Sequence, residues 1–240
     1  MVKFSIVTVS YNMADHIKKT IDSVLGQSFK DFQYVIVDGG SKDETVEIVK
    51  QYANAIDTFV SEPDGGIYDA MNKGVRLSEG DYVIFMNVGD TFASNRTLQD
   101  IAERMTGLNG LFYGDSIRES VDGVVSVYHE KTNKYQLTKK NICHQAIVYP
   151  RELLLEKGFE LSFPILGDWA RNIELYSKTM FHYIPIPICR YKLDGISSND
   201  NRMKDPAFMD NLPHLIKENL GIFPFLYFEM RQIARFILMR

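Results

Sequence analysis

Residues Glu62 to Asp90 read EPDGGIYDAMNKGVRLSEGDYVIFMNVGD. Asp64-Gly65-Gly66 is a turn cluster, because consecutive glycines accept backbone angles that other residues avoid. Ile67, Ala70, Met71 and Gly74 then recur at i, i+3, i+4 and i+7, the spacing of one helix face. Gly80-Asp81 interrupts that helix, and Tyr82 to Met86 is a short apolar run of the kind that forms a buried strand. The run stops at Asn87-Val88-Gly89-Asp90, which puts a carboxylate at the strand's carboxyl end. In an open parallel sheet, ligands bind outside that edge.

Upstream, the same alternation repeats. Phe4 to Val9 is a near-continuous apolar strand closed by Ser10-Tyr11-Asn12. Ile17, Ile21, Val24 and Leu25 mark a helix for which Asn12 is the expected cap and Asp15 a favourable first-turn charge. Tyr34 to Val37 is a second strand, followed by Asp38-Gly39-Gly40. Ser41 and Glu44 have capping-box spacing for a helix that turns Val46, Val49 and Ala53 inward, and Thr58 to Val60 is a third strand. Strand and helix in alternation predict an α/β fold, a mostly parallel, Rossmann-like sheet with helices on both faces. Right-handed crossovers bring Ser10, Asp38 and Asn87 to one rim.

Downstream, Leu98, Ile101 and Met105 predict a helix, and Phe112 to Arg118 with Val124 to His129 flank Asp122-Gly123 as a hairpin. Arg151 to Lys157 and Trp169 to Ser177 read as helices, the second opening at Asp168. Phe181 to Ile186 is a strand, and Arg190 to Ser198 a strand followed by a turn. From Pro206 the chain becomes a helical tail. Leu226, Met230, Ile233 and Ile237 form one apolar stripe there, with Arg231 and Arg235 opposite.

Composition narrows the class. At 240 residues, 45% hydrophobic and 24% charged, the chain can build one sizeable core with an appended segment. A net charge of -4 argues against a nucleic-acid partner, which a basic surface would serve. Cys143 and Cys189 lie far apart without metal-type spacing and read as free thiols of a reducing compartment. MVKFSIVTVSYN has no cleavage pattern, and no apolar run approaches the ~18 residues of a membrane span. The expected location is cytoplasmic, with the inner face of the membrane as a peripheral option.

The segments FSIVTVSYN, QYVIVDGGSKDET, SEPDGGIYDAMNKG and GDYVIFMNVGD resemble the nucleotide-binding half of family 2 glycosyltransferases of the GT-A fold. The resemblance is to the bacterial subgroup that builds lipopolysaccharide, capsule and exopolysaccharide. A looser similarity runs through HQAIVYPRELLLEKGF and GDWA to about Ser198. It implies a GT-A domain over residues 1-200, with a nucleotide-sugar half at 1-95 and an acceptor half at 96-200, and a helical tail at 201-240.

Site roles follow from that resemblance. Asp38 would accept a hydrogen bond from a uracil ring, where a charge-assisted bond is strong, and the backbone around Thr8 and Tyr11 would complete the base pocket. As a bare Asp-Gly it is a turn residue. Asp64 and Gly65 would lie beside the nucleotide, with Asn72 and Lys73 reaching in from the helix; Lys73 reads equally as a solvated lysine. Asp90 would be the metal carboxylate for Mn²⁺ or Mg²⁺ on the diphosphate. Family members commonly carry D-x-D-D here, whereas this chain has Asn87-Val88-Gly89-Asp90. Asn87 suits a ribose hydroxyl better than a metal, so an ion held mostly by the diphosphate is expected. Asp168 is the expected general base of an inverting transfer, and also fits a helix cap. His144 reads as core or site lining, and Trp169 as either an acceptor-stacking ring or a core residue.

The leading expectation is an inverting transferase that moves a sugar, most simply UDP-linked, to a hydroxyl of a glycan or lipid-linked glycan. A nucleotidyltransferase would want a basic glycine-rich loop where Ser10-Tyr11-Asn12-Met13 stands, and a dehydrogenase would want G-x-G-x-x-G there. A catalytically inactive nucleotide- or glycan-binding protein of the same fold is the remaining alternative, kept open by the thinned Asn87–Asp90 motif. For the tail, docking on its own domain or a second subunit stands beside an interfacial helix near a lipid-linked acceptor.

Overall fold

A computed structural model describes residues 3–120, 122–193 and 205–238. Among them the strands are β1 (Phe4–Ser10), β2 (Phe32–Asp38), β3 (Thr58–Ser61), β4 (Tyr82–Phe85), β5 (Thr91–Phe92), β6 (Leu111–Glu119), β7 (Val125–Tyr128), β8 (Ile147–Pro150) and β9 (Phe181–Lys192). The helices are α1 (Ala14–Leu25), α2 (Thr45–Lys50), α3 (Ile67–Leu77), α4 (Thr97–Arg104), α5 (Lys134–Leu137), α6 (Arg151–Glu156), α7 (Gly167–Tyr176), α8 (Pro206–Leu220) and α9 (Ile222–Leu238).

One sheet runs β3-β2-β1-β4-β8-β6-β9-β5, with β7 paired to the far part of β6. The first four strands are parallel, which sets Ser10, Asp38 and Ser61 side by side at their carboxyl ends. Beyond β4 the sheet is mixed: β8 is antiparallel to both neighbours, β6 and β9 are parallel, and β5 is antiparallel to β9. Alternation along β1 divides the core. Val7 and Val9 face α3, α6, α7 and α8, while Phe4 and Ile6 face α1, α2 and α4.

The expected hairpin forms as β6 and β7. Local caps differ from expectation. Asn12 stands at φ 51 and its side-chain oxygen Oδ1 accepts from the Lys42 amide, so it does not cap α1. The donors there are taken across the loop, Met13 N–H by Thr45 Oγ1 and Ala14 N–H by Asp43 Oδ2. Ser41 and Glu44 form no box: Ser41 turns to Asp38, and α2 starts at Thr45 with Asp43 as acceptor. That helix buries Thr45 and Val49, leaving Val46 half-buried and Ala53 exposed. In α3, Ile67 is exposed and Tyr68 is buried in its place. The strands expected at Phe181 and Arg190 are one element, β9; residues 194–198 of the expected turn lie outside the described residues.

Two contacts hold the site's supports together. At Gly74 an added Cβ would stand 2.4 Å from Val7 Cγ1, so α3 rests directly on β1. The tail also enters the core, through Phe208, Leu212 and Ile216 of α8. Asp205, fully buried, accepts from the amides of Ile165, Leu166 and Phe208 and so ties α8 to the entry of α7. Gly74→Ala should therefore cost about 1–3 kcal/mol through overpacking. A lower urea midpoint, partly restored when Val7→Ala is added, is the expected result.

Candidate active site

Four segments meet where the parallel half of the sheet gives way to the mixed half. Asp168, at the first turn of α7, is buried and held from two directions. His144 Nδ1 lies 3.1 Å from Asp168 Oδ2, and its Nε2 lies 3.0 Å from the Asn87 side-chain amide nitrogen. With that amide donating to Nε2, the imidazole proton resides on Nδ1 and is donated to Asp168. On the other side the Tyr68 hydroxyl lies 3.0 Å from Asp168 Oδ1 and 2.8 Å from the Ile165 carbonyl, serving one at a time. Burial, and then the charge of Asp168, raise the Tyr68 phenol well above its ordinary range, so it stays a neutral donor. Asn87 Oδ1 is buried and unpartnered.

The turn after β4 carries Asp90. Gly89 has φ 98, a backbone angle suited to glycine, and its amide donates to Thr20 Oγ1 while Thr20 donates to the Asp90 carbonyl. The Asp90 carboxylate accepts from Gln145 Nε2 at 2.6 Å, and Gln145 Oε1 accepts from the Cys143 thiol. Cys143 and Cys189 are both free thiols, their sulfurs 3.9 Å apart. No group of three or more His, Cys, Asp or Glu side chains capable of holding a metal occurs among the described residues. One carboxylate does suit a magnesium-like ion that takes most of its ligands from phosphate and water.

At the β1–β2 end the carboxylate of Asp38 is fully buried. It accepts from the amides of Gly40 and Ser41 and from the hydroxyls of Ser41 and Ser61, so it holds the loop after β2. Asp64 reaches over that loop. A Cβ on Gly39 would meet Asp64 Oδ2 at 2.6 Å, so the carboxylate fills the space a side chain at 39 would take. Asp64 Oδ1 also accepts from Gly66, and Gly65 N–H is held by Asp69. Tyr11 stands at this rim with 60% of its surface exposed.

Three expected site residues, and the side chain of Thr8, are engaged within the protein. Thr8 is fully buried, its hydroxyl donating to the Met86 carbonyl beside Tyr34, because side chains at that register point into the α1 side of the sheet, so only its backbone is left for a ligand. Asn72 clamps both the amide and the carbonyl of Phe159. Lys73 bonds the Pro63 carbonyl and pairs with Glu62 and Asp69, pinning the Asp64 loop. Trp169 is 2% exposed, packs on Phe208 and donates to the Leu137 carbonyl, which makes it core. Tyr68 and Gln145 were missed. The i+4 face that predicted Ile67 gave no sign of Tyr68, whereas Gln145, between His144 and a strand, was there to be read. A surface hollow of about 1030 Å³ lies at the opposite end of the strands against Gly80, Tyr82 and Leu108, away from all these groups.

Carboxylates and one imidazole thus gather at the carboxyl ends of the parallel strands, the edge at which open α/β sheets bind ligands. The chain belongs to glycosyl transferase family 2, whose family model matches residues 5–179. It is 33% identical over 228 residues to a PGL/p-HBAD biosynthesis glycosyltransferase of Mycobacterium bovis, covering 91% of this chain and 86% of that one. It is 28% identical over 183 residues to a putative teichuronic acid biosynthesis glycosyltransferase, TuaG, of Bacillus subtilis, covering 65% of this chain and 73% of TuaG. In fold it resembles a fragment of S. aureus TarS in complex with UDP-GlcNAc, at TM-score 0.74 and 19% identity over 90% of this chain and 66% of that fragment. It also resembles the mannosyltransferase PcManGT of Pyrobaculum calidifontis in complex with GDP-Man and Mn²⁺, at TM-score 0.63 and 15% identity over 96% of this chain and 79% of that one. The fold is thus GT-A, and the protein is a glycosyltransferase.

If His144 acts through Asp168, the two are coupled. Asp168→Asn should lower transfer by roughly 10²–10⁴-fold, the range for a lost general base, with nucleotide affinity unchanged. His144→Ala should lower it less, and the double variant should fall no further than Asp168→Asn alone. Fully additive losses would mean independent roles.

Proposed function

We propose that the protein is an inverting glycosyltransferase that moves a sugar from a UDP-sugar to a hydroxyl of a glycan or lipid-linked glycan in cell-surface polysaccharide synthesis. The observation that carries this reading is that the buried carboxylate of Asp168 is held between His144 and Tyr68. The acceptor oxygen attacks the anomeric carbon, and its proton passes to an oxygen of Asp168. The bond from that carbon to the diphosphate oxygen breaks, its electrons leave with the nucleotide, and the configuration inverts. His144 and Tyr68 orient the carboxylate, so little reorganisation is needed at the moment of attack.

The TarS complex with UDP-GlcNAc supports the donor class, and the PGL/p-HBAD and teichuronic acid biosynthesis relatives support the acceptor class. A divalent ion, as in the PcManGT complex, would neutralise charge on the departing diphosphate. Asp90, braced by Gln145, would hold it with one carboxylate, the diphosphate supplying further oxygens. For the base, the reading shifts from Asp38 to Asp64. Asp38 is buried and already takes four protein donors, whereas the Asp64 carboxylate stands over Gly39, whose amide donates to Ser10, the residue before exposed Tyr11.

The test is a release assay over a panel of UDP-, GDP- and dTDP-sugars with Mn²⁺ or EDTA. UDP release with acceptor present, at least tenfold above the other nucleotides and lost in EDTA, is expected; no release from any donor would refute the assignment. Calorimetry separates the carboxylates. Asp64→Asn should weaken UDP binding about tenfold or more, since bonds to charged groups are worth ~1.5–3 kcal/mol, at unchanged melting temperature. Asp38→Asn should instead lower the melting temperature.

A further inference from the structure

The last helix leaves its apolar side uncovered. In α9 only Pro224 and Phe228 are buried, one turn apart on the side that packs against the protein. Phe223, Leu226, Met230, Ile233 and Ile237 follow one another at three- and four-residue steps and so form a single stripe opposite them. Their exposures are 69%, 49%, 68%, 59% and 65%. Scattered exposed apolar residues are ordinary on a protein surface, but five in line on one helix mark a contact surface.

Charge beside the stripe identifies the contact. The chain carries net -4, yet Lys131, Lys134, Lys139 and Lys140 fall within ten residues, and no carboxylate occurs between Lys131 and Arg151. This basic segment includes α5, which packs on α9: the Tyr135 and Tyr227 rings meet edge to face at 5.6 Å. Lys139 Nζ lies 4.7 Å over the Tyr227 ring, and the Arg231 guanidinium 5.9 Å from it. Tyr227 follows Phe223 by four residues and precedes Met230 by three, so it forms the stripe's edge. An apolar helix face, bordered by a tyrosine and flanked by lysines, is the pattern of a helix lying in a bilayer interface. No helix among the described residues is long and apolar enough to cross a membrane, so the contact is one of lying on the surface.

From these features we infer that α9 and the Lys131–Lys140 segment dock the protein on an anionic lipid surface, the stripe entering the acyl boundary and the lysines meeting the headgroups. A second copy suits the patch less well. Two-fold pairing of one surface with itself would bring two lysine segments together, whereas anionic lipids attract each basic residue near the surface. The basic segment runs directly into Cys143 and His144, so the docked face borders the acceptor half. That geometry suits an acceptor displayed from the same surface, a corollary that rests on the transferase reading; the docking itself does not.

The experiment is flotation of the full chain with vesicles of neutral phosphatidylcholine, or of the same lipid with 30 mol% (about one in three) phosphatidylglycerol, alongside sedimentation velocity without lipid. Wild type should float with the anionic vesicles, at least tenfold more than with neutral ones, and less at 0.5 M salt (about a 4 Å screening length). Met230→Glu with Ile233→Glu should abolish flotation, and Lys131→Glu with Lys134→Glu should reduce it about tenfold on anionic vesicles alone. Met230, Ile233 and Lys131 are exposed and Lys134 is half-buried; melting temperature and UDP affinity should be unchanged in both pairs, which separates this test from that of the transferase reading. Failure to float, or equal flotation of wild type and the Met230/Ile233 pair, overturns the inference. So does a wild-type dimer that this pair converts to monomer while vesicles are ignored, which would assign the stripe to a second copy.

Discussion

Asn87, His144, Asp168 and Tyr68 form one hydrogen-bonded chain across four segments that are distant in sequence, and the site depends on it. It spans the end of β4, the turn before β8, the start of α7 and the start of α3. Each partner removes a degree of freedom from Asp168. The imidazole fixes one carboxylate oxygen, the phenol borders the other, and the backbone amide of Trp169 donates to Oδ1 at 2.8 Å. A buried carboxylate held this way needs little rearrangement when a proton arrives, which is what the proposed role as general base asks of it.

Sheet topology is what lets that chain close. Parallel strands deliver Ser10, Asp38, Ser61 and the β4 turn to one rim, since every crossover returns the chain to the same end. After β4 the neighbour is antiparallel β8, preceded directly by His144 to Ala146. Reversing direction there brings Gln145 and His144 to the rim from the opposite sense, beside Asp90 and Asn87. The tail is part of the same framework. Asp205 binds the Ile165 and Leu166 amides just ahead of Asp168, so α8 helps fix the turn that carries Asp168.

Much of the fold was legible because burial is written locally. Apolar runs located β1, β2 and β4, helical spacing located α1 and α3, and Asp122-Gly123 located the hairpin. Short β8, whose sequence IVYP ends in proline and leads straight into α6, offered no boundary to read. Side-chain destinations were less legible, since they depend on partners far along the chain. Asn72 looks like a site residue on a helix face until Phe159, 87 positions away, takes both ends of its amide. The cap of α1 shows the same limit, because Thr45 and Asp43 displace the nearer Asn12. Motif context singled out Asp168 and Asp90 and could have singled out Gln145 beside His144, whereas Tyr68 required the folded geometry.

The central claim is a single displacement in which Asp168 takes the acceptor proton and the nucleotide leaves from the opposite face. Proton NMR of the transfer product, reading the coupling constant of the newly linked anomeric proton, measures this most directly. A product of opposite anomeric configuration to the donor sugar is the predicted result. Retention of the donor's configuration would require a second displacement or a covalent intermediate, and would contradict the account.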